Sequence, residues 1–389
     1  MALDHAIVMG GGMAGLLSAA GLAGQFEQVT IIDRDELRTE GAEALAPRRG
    51  VPHGGVVHRL LALGERRIED LLPGLREELL AAGGEEWIRD AQEQSHVQEQ
   101  GSLALTRPML EGVIRRRVLA LPSVTARQGA VAGLLTEEEG RRVSGVAVRG
   151  GAAGELHGGL VVDAAGRSSR AAGWVEGLGA ERPRALSTRV HVAYTCLRLH
   201  LRQDALPEGV QDLVVPATEE LPLMVELEPC GNGEHILSVS GTSRNLPPKD
   251  LAGLREVVAQ LHDPRIAAAL EGAEPVGEPA AAKAAGSHRL RWEAVPDAPE
   301  GLVHVGDAAA AFTPLYAQGM TMAAVGAATL RDAVRAAAEG AAGVLPPGFA
   351  AEFHRELAAR LDPAWDSAVA RDATIPGAEL DLDAPVPAG

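Results

Sequence analysis

Short apolar runs that stop abruptly at a glycine or a carboxylate recur along the chain. Ala6 to Met9 ends at Gly10-Gly11-Gly12, Val29 to Ile32 at Asp33, Leu160 to Val162 at Asp163, and Leu302 to Val305 at Gly306-Asp307. Such runs read as buried strands whose last residue faces solvent or a ligand. Between the first two lies a small-residue stretch to Ala23 whose Leu16, Leu17, Ala20 and Leu22 can pack, which predicts a helix. Further helices are predicted from Pro108, with Leu110, Val113, Ile114 and Val118 on one apolar face, from Met320 to about Ala338, and from Phe349 to about Arg371. The stretch "RRVSGVAV" reads as a hairpin, and an acidic, Pro-containing tail closes the chain.

The middle of the chain is patterned differently. "RVHVAYTCLRLHL" alternates, with Val190, Val192, Tyr194 and Cys196 on one face, before the apolar parity moves to Leu197, Leu199 and Leu201. That shift predicts a β-bulge near Cys196. "LMVELEPCGNGEHILSVSG" reads as two strands joined at Gly231-Asn232-Gly233. The expectation is an antiparallel sheet with one polar face and one aliphatic face, the latter mostly core against the first unit and in smaller part pocket lining.

Gly10, Gly12 and Gly15 fit G-x-G-x-x-G between a strand and a helix. One glycine allows the tight turn, one lets backbone approach a diphosphate, and one lets the helix, with Met13 and Ala14 in its first turn, close on the strand. A diphosphate would meet the free N–H groups and positive end of that helix. A glycine-rich turn alone is common in a chain with 46 glycines. Asp33 adds specificity, because a carboxylate ending the second strand can accept hydrogen bonds from both hydroxyls of an adenosine ribose; the alternative is a solvated strand end.

Composition narrows the partners. The chain has 389 residues, long enough for two or three domains, and its net charge of −17 argues against nucleic acid or an anionic membrane surface. No apolar run reaches the roughly 20 residues of a membrane helix, and a first strand beginning near Ala6 leaves no room for a signal peptide, so a cytoplasmic protein is expected. Cys196 and Cys230 are the only cysteines and read as free thiols; no metal site is expected. His53 and His58 stand five apart in a glycine-rich loop without a nearby carboxylate, which does not make one.

Taken together, G-x-G-x-x-G, the acidic strand end, "DAAGRSSR" and "GDAAAAFTPLYAQGM" make a set that resembles the FAD-dependent monooxygenase superfamily related to aromatic hydroxylases and squalene epoxidase. With "PRRGVP" and "RLLALGERRIEDLLPG" it looks most like the epoxidases that act on polyene chains of polyether polyketides. The resemblance covers about residues 5–175 and 285–340. It implies an α/β protein: a Rossmann-like FAD-binding domain (GR2-type flavin monooxygenase fold), an antiparallel substrate sheet and a C-terminal helix. The implied boundaries are 1–75, 105–184 and 287–345 for a discontinuous FAD domain, 185–286 with 76–104 contributing for the substrate domain, and 346–389 for the C-terminal helix and tail.

The resemblance also implies roles. Asp307, after Gly306, would bond the ribityl chain of FAD, or cap a helix. Pro314 would lie beside the flavin ring, with Gln318, Gly319 and Met320 offering backbone N–H groups to its pyrimidine end. Arg107 would face the FAD phosphates, and Val131 would meet adenine through its backbone. Arg34 and Arg49 are further candidates that a surface salt bridge would explain equally well. Asp163 would belong to the second motif.

Departures bear on chemistry. Ala310 stands where many relatives have histidine, and Ala317 where glycine is usual. Asp163-Ala164 replaces the Asp-Gly more often seen where NADPH reduces flavin directly, which favours a separate NAD(P)H-dependent flavin reductase. Flavin halogenases carry Trp-x-Trp and an active-site lysine, whereas all four tryptophans here are isolated. No Tyr, His and acid cluster stands out in 185–290, so a dry, apolar pocket beside the flavin is expected. The expected activity is transfer of one oxygen from a flavin hydroperoxide, formed with O2, to an apolar polyketide or terpenoid, chiefly alkene epoxidation. The alternatives are an aromatic or polyketide hydroxylase of the same fold and a non-redox FAD-binding cyclase.

Overall fold

The computed structural model describes residues 3–87, 103–151, 153–338 and 343–382. The stretch 76–104, expected to contribute to the substrate domain, therefore lies partly outside the described residues. Five parallel strands form the first layer, in the order Leu302–His304, Leu160–Asp163, Leu3–Met9, Phe26–Asp33, Val124–Gln128. The first two strands in sequence begin earlier than the apolar runs suggest. Leu3 pairs with Phe26, both buried, and His5 bonds Thr30 at 2.9 Å, so the ladder gains residues that look polar in sequence.

Helices Met13–Leu22, Arg107–Leu119 and Gln318–Ala338 cover the sheet on one side. The second is capped by Thr106, whose hydroxyl accepts from the Met109 N–H, with Pro108 in its first turn where no N–H is missed. A small antiparallel sheet of Ala130–Glu137, Arg142–Arg149 and Gly154–His157 covers the other side.

A second five-stranded sheet, antiparallel, runs Leu213–Val215, Met224–Gly231, Glu234–Gly241, Val192–His200, Glu274–Ala284. Two of its features correct the sequence reading. The irregularity does fall beside Cys196, but the extra residues lie in the partner strand: Cys196 faces Ala280 and Arg198 faces Val276, with Gly277 at φ +78° between them. Val192–His200 itself stays regular, and its parity change arises because both of its faces are buried.

The leucine-rich face, with Leu197, Leu199, Leu227 and Leu237, packs away from the first layer, under helices Leu251–Ala259 and Pro264–Ala269. The face turned toward the first layer carries Val192, Tyr194, Cys196, Glu226, Glu228, Ser238 and Ser240, all buried. The polar face is thus interior. Ala185–Arg189, read as part of the substrate region, joins Ala310–Ala311, His288–Leu290 and Glu379–Asp381 in a separate four-stranded sheet, so part of the tail is a strand. Helix Phe349–Asp372 lies against Gln318–Ala338, burying Phe353, Leu357, Leu361 and Trp365.

Candidate functional site

The parallel strands end side by side. Gly10 N–H bonds Ile32 O, Ala164 N–H bonds Met9 O, and Val305 N–H bonds Asp163 O, which brings the three motifs to the carboxyl edge of the sheet, where ligands bind in open α/β folds. The three glycines differ in what surrounds them. Gly10 has φ +102°, and a Cβ there would fall 2.5 Å from Ala164 O. A Cβ on Gly15 would overlap the Gly10 carbonyl. At Gly12 nothing among the described residues, beyond its chain neighbours, lies within 4 Å of that position. The first and third are thus needed by the fold, and the second borders free space at the start of helix Met13–Leu22.

Asp33 ends its strand with one carboxylate oxygen accepting from Gly11 N–H at 2.6 Å and the other from Asp35 N–H at 2.8 Å. Gly129 N–H bonds Asp33 O, so strand Ala130–Glu137, with Val131 its second residue, begins close by. Arg34 and Arg49 are exposed and make no contact with this carboxylate, whereas Arg48 reaches it. The Arg48 guanidinium bonds Gly11 O at 2.9 Å, Asp35 at 3.0 Å, Asp33 at 3.4 Å and Glu111 at 2.6 Å. In "PRRGVP" only one of two adjacent arginines can point inward, and the sequence does not say which.

Arg107 opens its helix buried, paired with Glu111 at 2.8 Å, while its Nη1 has no hydrogen-bond acceptor among the described residues. Burial pulls its pKa below the ordinary range, Glu111 and Asp307 offset part of that, and Arg48 opposes them. Burial works against the Glu111 carboxylate too, but Arg107 and Arg48 more than compensate and hold it below the usual range. A buried guanidinium nitrogen without an acceptor is costly, and an anion would remove that cost.

Gly306, at φ +58°, approaches the glycine turn so closely that a Cβ would stand 2.5 Å from Ala14 Cβ. Asp307 therefore emerges beside the first helix. Desolvation raises its pKa, with Arg167 and Arg107 countering. Arg167 lies 3.9 Å from Asp307 and donates to Gly286 O and Phe312 O, tying the "DAAGRSSR" turn to the loop before Pro314. Asp163 does not reach the cleft. It is fully buried, its oxygens taken by Ala165 N–H and Ser169 Oγ, and burial pushes its pKa up to about 6. It shapes the turn that aims Arg167.

Pro314 is exposed, Ala317 takes φ +52°, and Gln318, Gly319 and Met320 open the helix Gln318–Ala338. As at Gly12, nothing among the described residues, beyond the local backbone, lies within 4 Å of a Cβ built on Gly319.

Opposite this loop stands the polar face of the antiparallel sheet. Arg59 is clamped by Glu226 at 2.6 Å and Glu228 at 2.7 Å. Tyr194 is 7% exposed, its hydroxyl has no hydrogen-bond partner among the described residues, and burial raises its pKa, with Glu226 adding to the effect. Cys196 donates to Ser238 at 3.4 Å and is pushed up to about 11 by burial, so it is an inert thiol. The side chains of His53 and His58 bond each other at 3.0 Å, and burial brings His58 down to about 3. A tyrosine, two carboxylates and an arginine thus meet where sequence alone suggested an apolar lining. The signal was the "VELEP" alternation, whose acids share one face.

No protein-family model matches the chain. It is 31% identical over 383 residues to Protein Rv3254 of Mycobacterium tuberculosis, spanning 93% of this chain and 78% of the relative. Solved structures share its architecture at low identity. They include the flavin-dependent brominase Bmp2 (16% identity, 93% of this chain and 86% of that one, TM-score 0.65). They also include the Diels-Alderase PyrE3 of pyrroindomycin biosynthesis (20%, 96% and 73%, 0.64), and 2-methyl-3-hydroxypyridine-5-carboxylic acid oxygenase (19%, 96% and 93%, 0.64). The fold is the FAD-dependent monooxygenase fold.

Proposed function

Since the chain belongs to the family of Protein Rv3254 and carries the FAD-dependent monooxygenase fold, we propose that it binds FAD and transfers one oxygen atom from O2 to an organic small molecule. The observation that carries this reading is the Arg107 Nη1, buried without an acceptor among the described residues, at the edge where Gly12 borders space none of them fills. The donor set suits FAD. Gly12, Met13, Ala14 and Arg107 would hold the diphosphate, Asp33 a ribose, Val131 the adenine side, and Asp307 the ribityl chain. Pro314 and the backbone of Gln318, Gly319 and Met320 would border the flavin ring.

Reduced FAD would supply the electrons that activate O2. The first turn of Gln318–Ala338 would place roughly half a positive charge by the anionic reduced ring. The antiparallel sheet would exclude water. Its buried Tyr194 hydroxyl would donate to an oxygen of the substrate, which favours a polyketide or terpenoid bearing a polar group over a purely hydrocarbon chain. Epoxidation and hydroxylation of such a molecule both fit. Ala164 after Asp163 supports supply of electrons by a separate NAD(P)H-dependent flavin reductase.

The likeness to a Diels-Alderase favours a second reading, a cyclase that needs no electrons. FAD-loaded protein, a flavin reductase, NADH and isotopically labelled O2 should be incubated with unsaturated polyketides and terpenoids. The expected product carries one labelled oxygen atom and forms only with reductant. A cyclised product formed without reductant would establish the second reading, and protein that takes up no FAD would end both.

A further inference from the structure

We propose that Asp372, the last residue of helix Phe349–Asp372, is a positioning residue that holds the Thr313–Tyr316 turn in place as a wall of the flavin pocket. The proposal rests on the reading of that turn as part of an FAD site.

Asp372 is fully buried, and four hydroxyls converge on it. Its Oδ2 accepts from Thr313 Oγ1 at 2.8 Å, Ser287 Oγ at 3.2 Å and Thr188 Oγ1 at 2.5 Å, and its Oδ1 accepts from Tyr316 Oη at 2.7 Å. The donors fall into two sets. Thr188 lies on strand Ala185–Arg189, and Ser287 leads into strand His288–Leu290, so these tie the helix end to the small four-stranded sheet. Thr313 and Tyr316 flank Pro314 and tie it to the turn that leads into Gln318–Ala338.

Further contacts lock the same turn. Ser287 Oγ also accepts from Thr313 N–H at 3.0 Å, and the Arg371 guanidinium sits 3.9 Å from the centre of the Tyr316 ring. Burying a carboxylate among neutral hydroxyls is expensive unless each bond is made, and here every donor is spent on it. A hub of that cost, reached from a helix end more than fifty residues away in sequence, fixes a turn whose exit residue, Ala317, is left-handed. Held this way, the first turn of Gln318–Ala338 stays fixed beside Gly319, where a built Cβ would meet none of the described residues within 4 Å outside its own chain neighbours and helix backbone.

The two donor sets provide the test. FAD affinity is measured by titrating the apoprotein, alongside thermal unfolding and the shape of the bound flavin's visible band, for Thr313→Val, Tyr316→Phe, Thr188→Val and Asp372→Asn. The turn-side variants Thr313→Val and Tyr316→Phe should weaken FAD at least tenfold and shift the flavin band. Thr188→Val, which removes the strand-side bond to the same carboxylate and the one its hydroxyl accepts from Ser287 N–H at 2.9 Å, should cost at least as much thermal stability yet leave affinity within about twofold. Asp372→Asn should behave as the turn-side variants. If affinity simply follows stability across all four, or the turn-side variants bind FAD normally, Asp372 is structural only and the proposal falls. Wild-type protein that takes up no FAD would instead overturn the cofactor reading. The single-hydroxyl variants keep the proposal exposed even if Asp372→Asn fails to fold.

Discussion

Gly319 stands in the first turn of a helix, half-buried, and outside its chain neighbours and own helix backbone no atom of the described residues lies within 4 Å of a Cβ built on it. Gly319→Val should therefore leave folding within about 1 kcal/mol of the parent, since no packed neighbour is displaced and glycine is itself a poor helix former. The same side chain would fill the space assigned to the flavin, so FAD affinity should fall by about 2 kcal/mol or more, roughly thirtyfold. Thermal unfolding and FAD titration of the variant, side by side, check this; unchanged affinity would mean that the flavin has been placed against the wrong backbone. Two residues away, Ala317 occupies a left-handed conformation where glycine is the usual residue. Single residues were otherwise the least legible scale. Asp33 and Asp307 could be picked out because each ends an apolar run. Arg48 could not be told from Arg49, nor Asp163 known to be sealed in, because side-chain direction in a turn depends on backbone angles that no periodicity encodes.

At the scale of one strand, turn and helix, Gly12 and Gly15 should fail in opposite ways when replaced by alanine. Gly15→Ala drives a methyl into the Gly10 carbonyl and toward Val8 Cγ1 at 3.3 Å, so it should destabilise the fold by about 1–3 kcal/mol. Gly12→Ala meets no protein atom and should be nearly neutral for stability while weakening FAD. Denaturation and FAD titration of both variants decide the matter, and equal loss of stability in both would remove the argument for a diphosphate at Gly12. This unit was legible because one motif fixes strand end, turn and helix start together. The antiparallel sheet was less so. Its strands and the Gly231–Gly233 turn were visible in the alternation, but helices Leu251–Ala259 and Pro264–Ala269 are too short to show a stripe, and without them the leucine face had no partner and was turned toward the wrong layer. Once those helices take the leucines, the acids of "VELEP" can only face inward, and Arg59, from the loop before Ala62–Leu71, becomes their partner.

Across the whole molecule, the buried histidines set a response to acid. His304 and His354 bond each other behind the parallel sheet at 3.1 Å, with Trp292 stacked on His304 at 3.5 Å between ring centres. Burial holds both rings well below the ordinary range, His354 at about 3, and His58 near the cleft is likewise at about 3. Each stays neutral in the fold while the unfolded chain takes up a proton near pH 6.5, so its contribution is complete above that pH and is lost as pH falls toward 3. For His354 alone the loss between pH 6.5 and 5 is on the order of 2 kcal/mol. Asp163 runs the other way. Its carboxyl, raised to about 6, is protonated in the fold before it is in the unfolded chain, and so adds stability as pH drops from about 6 toward 4. Asp307 and Glu65, also raised by burial, act in the same direction, but His5, His53, His235 and His288 are lowered by burial too, and the depressed Glu111 and Asp35 carboxylates lose stability on acidification as well. Urea unfolding should therefore show a lower midpoint at pH 5 than at pH 7.5. His354→Leu should lower the midpoint at pH 7.5, through the lost bond to His304, yet flatten its dependence on pH; a variant with the parent's slope would show that the buried pair does not carry the acid sensitivity.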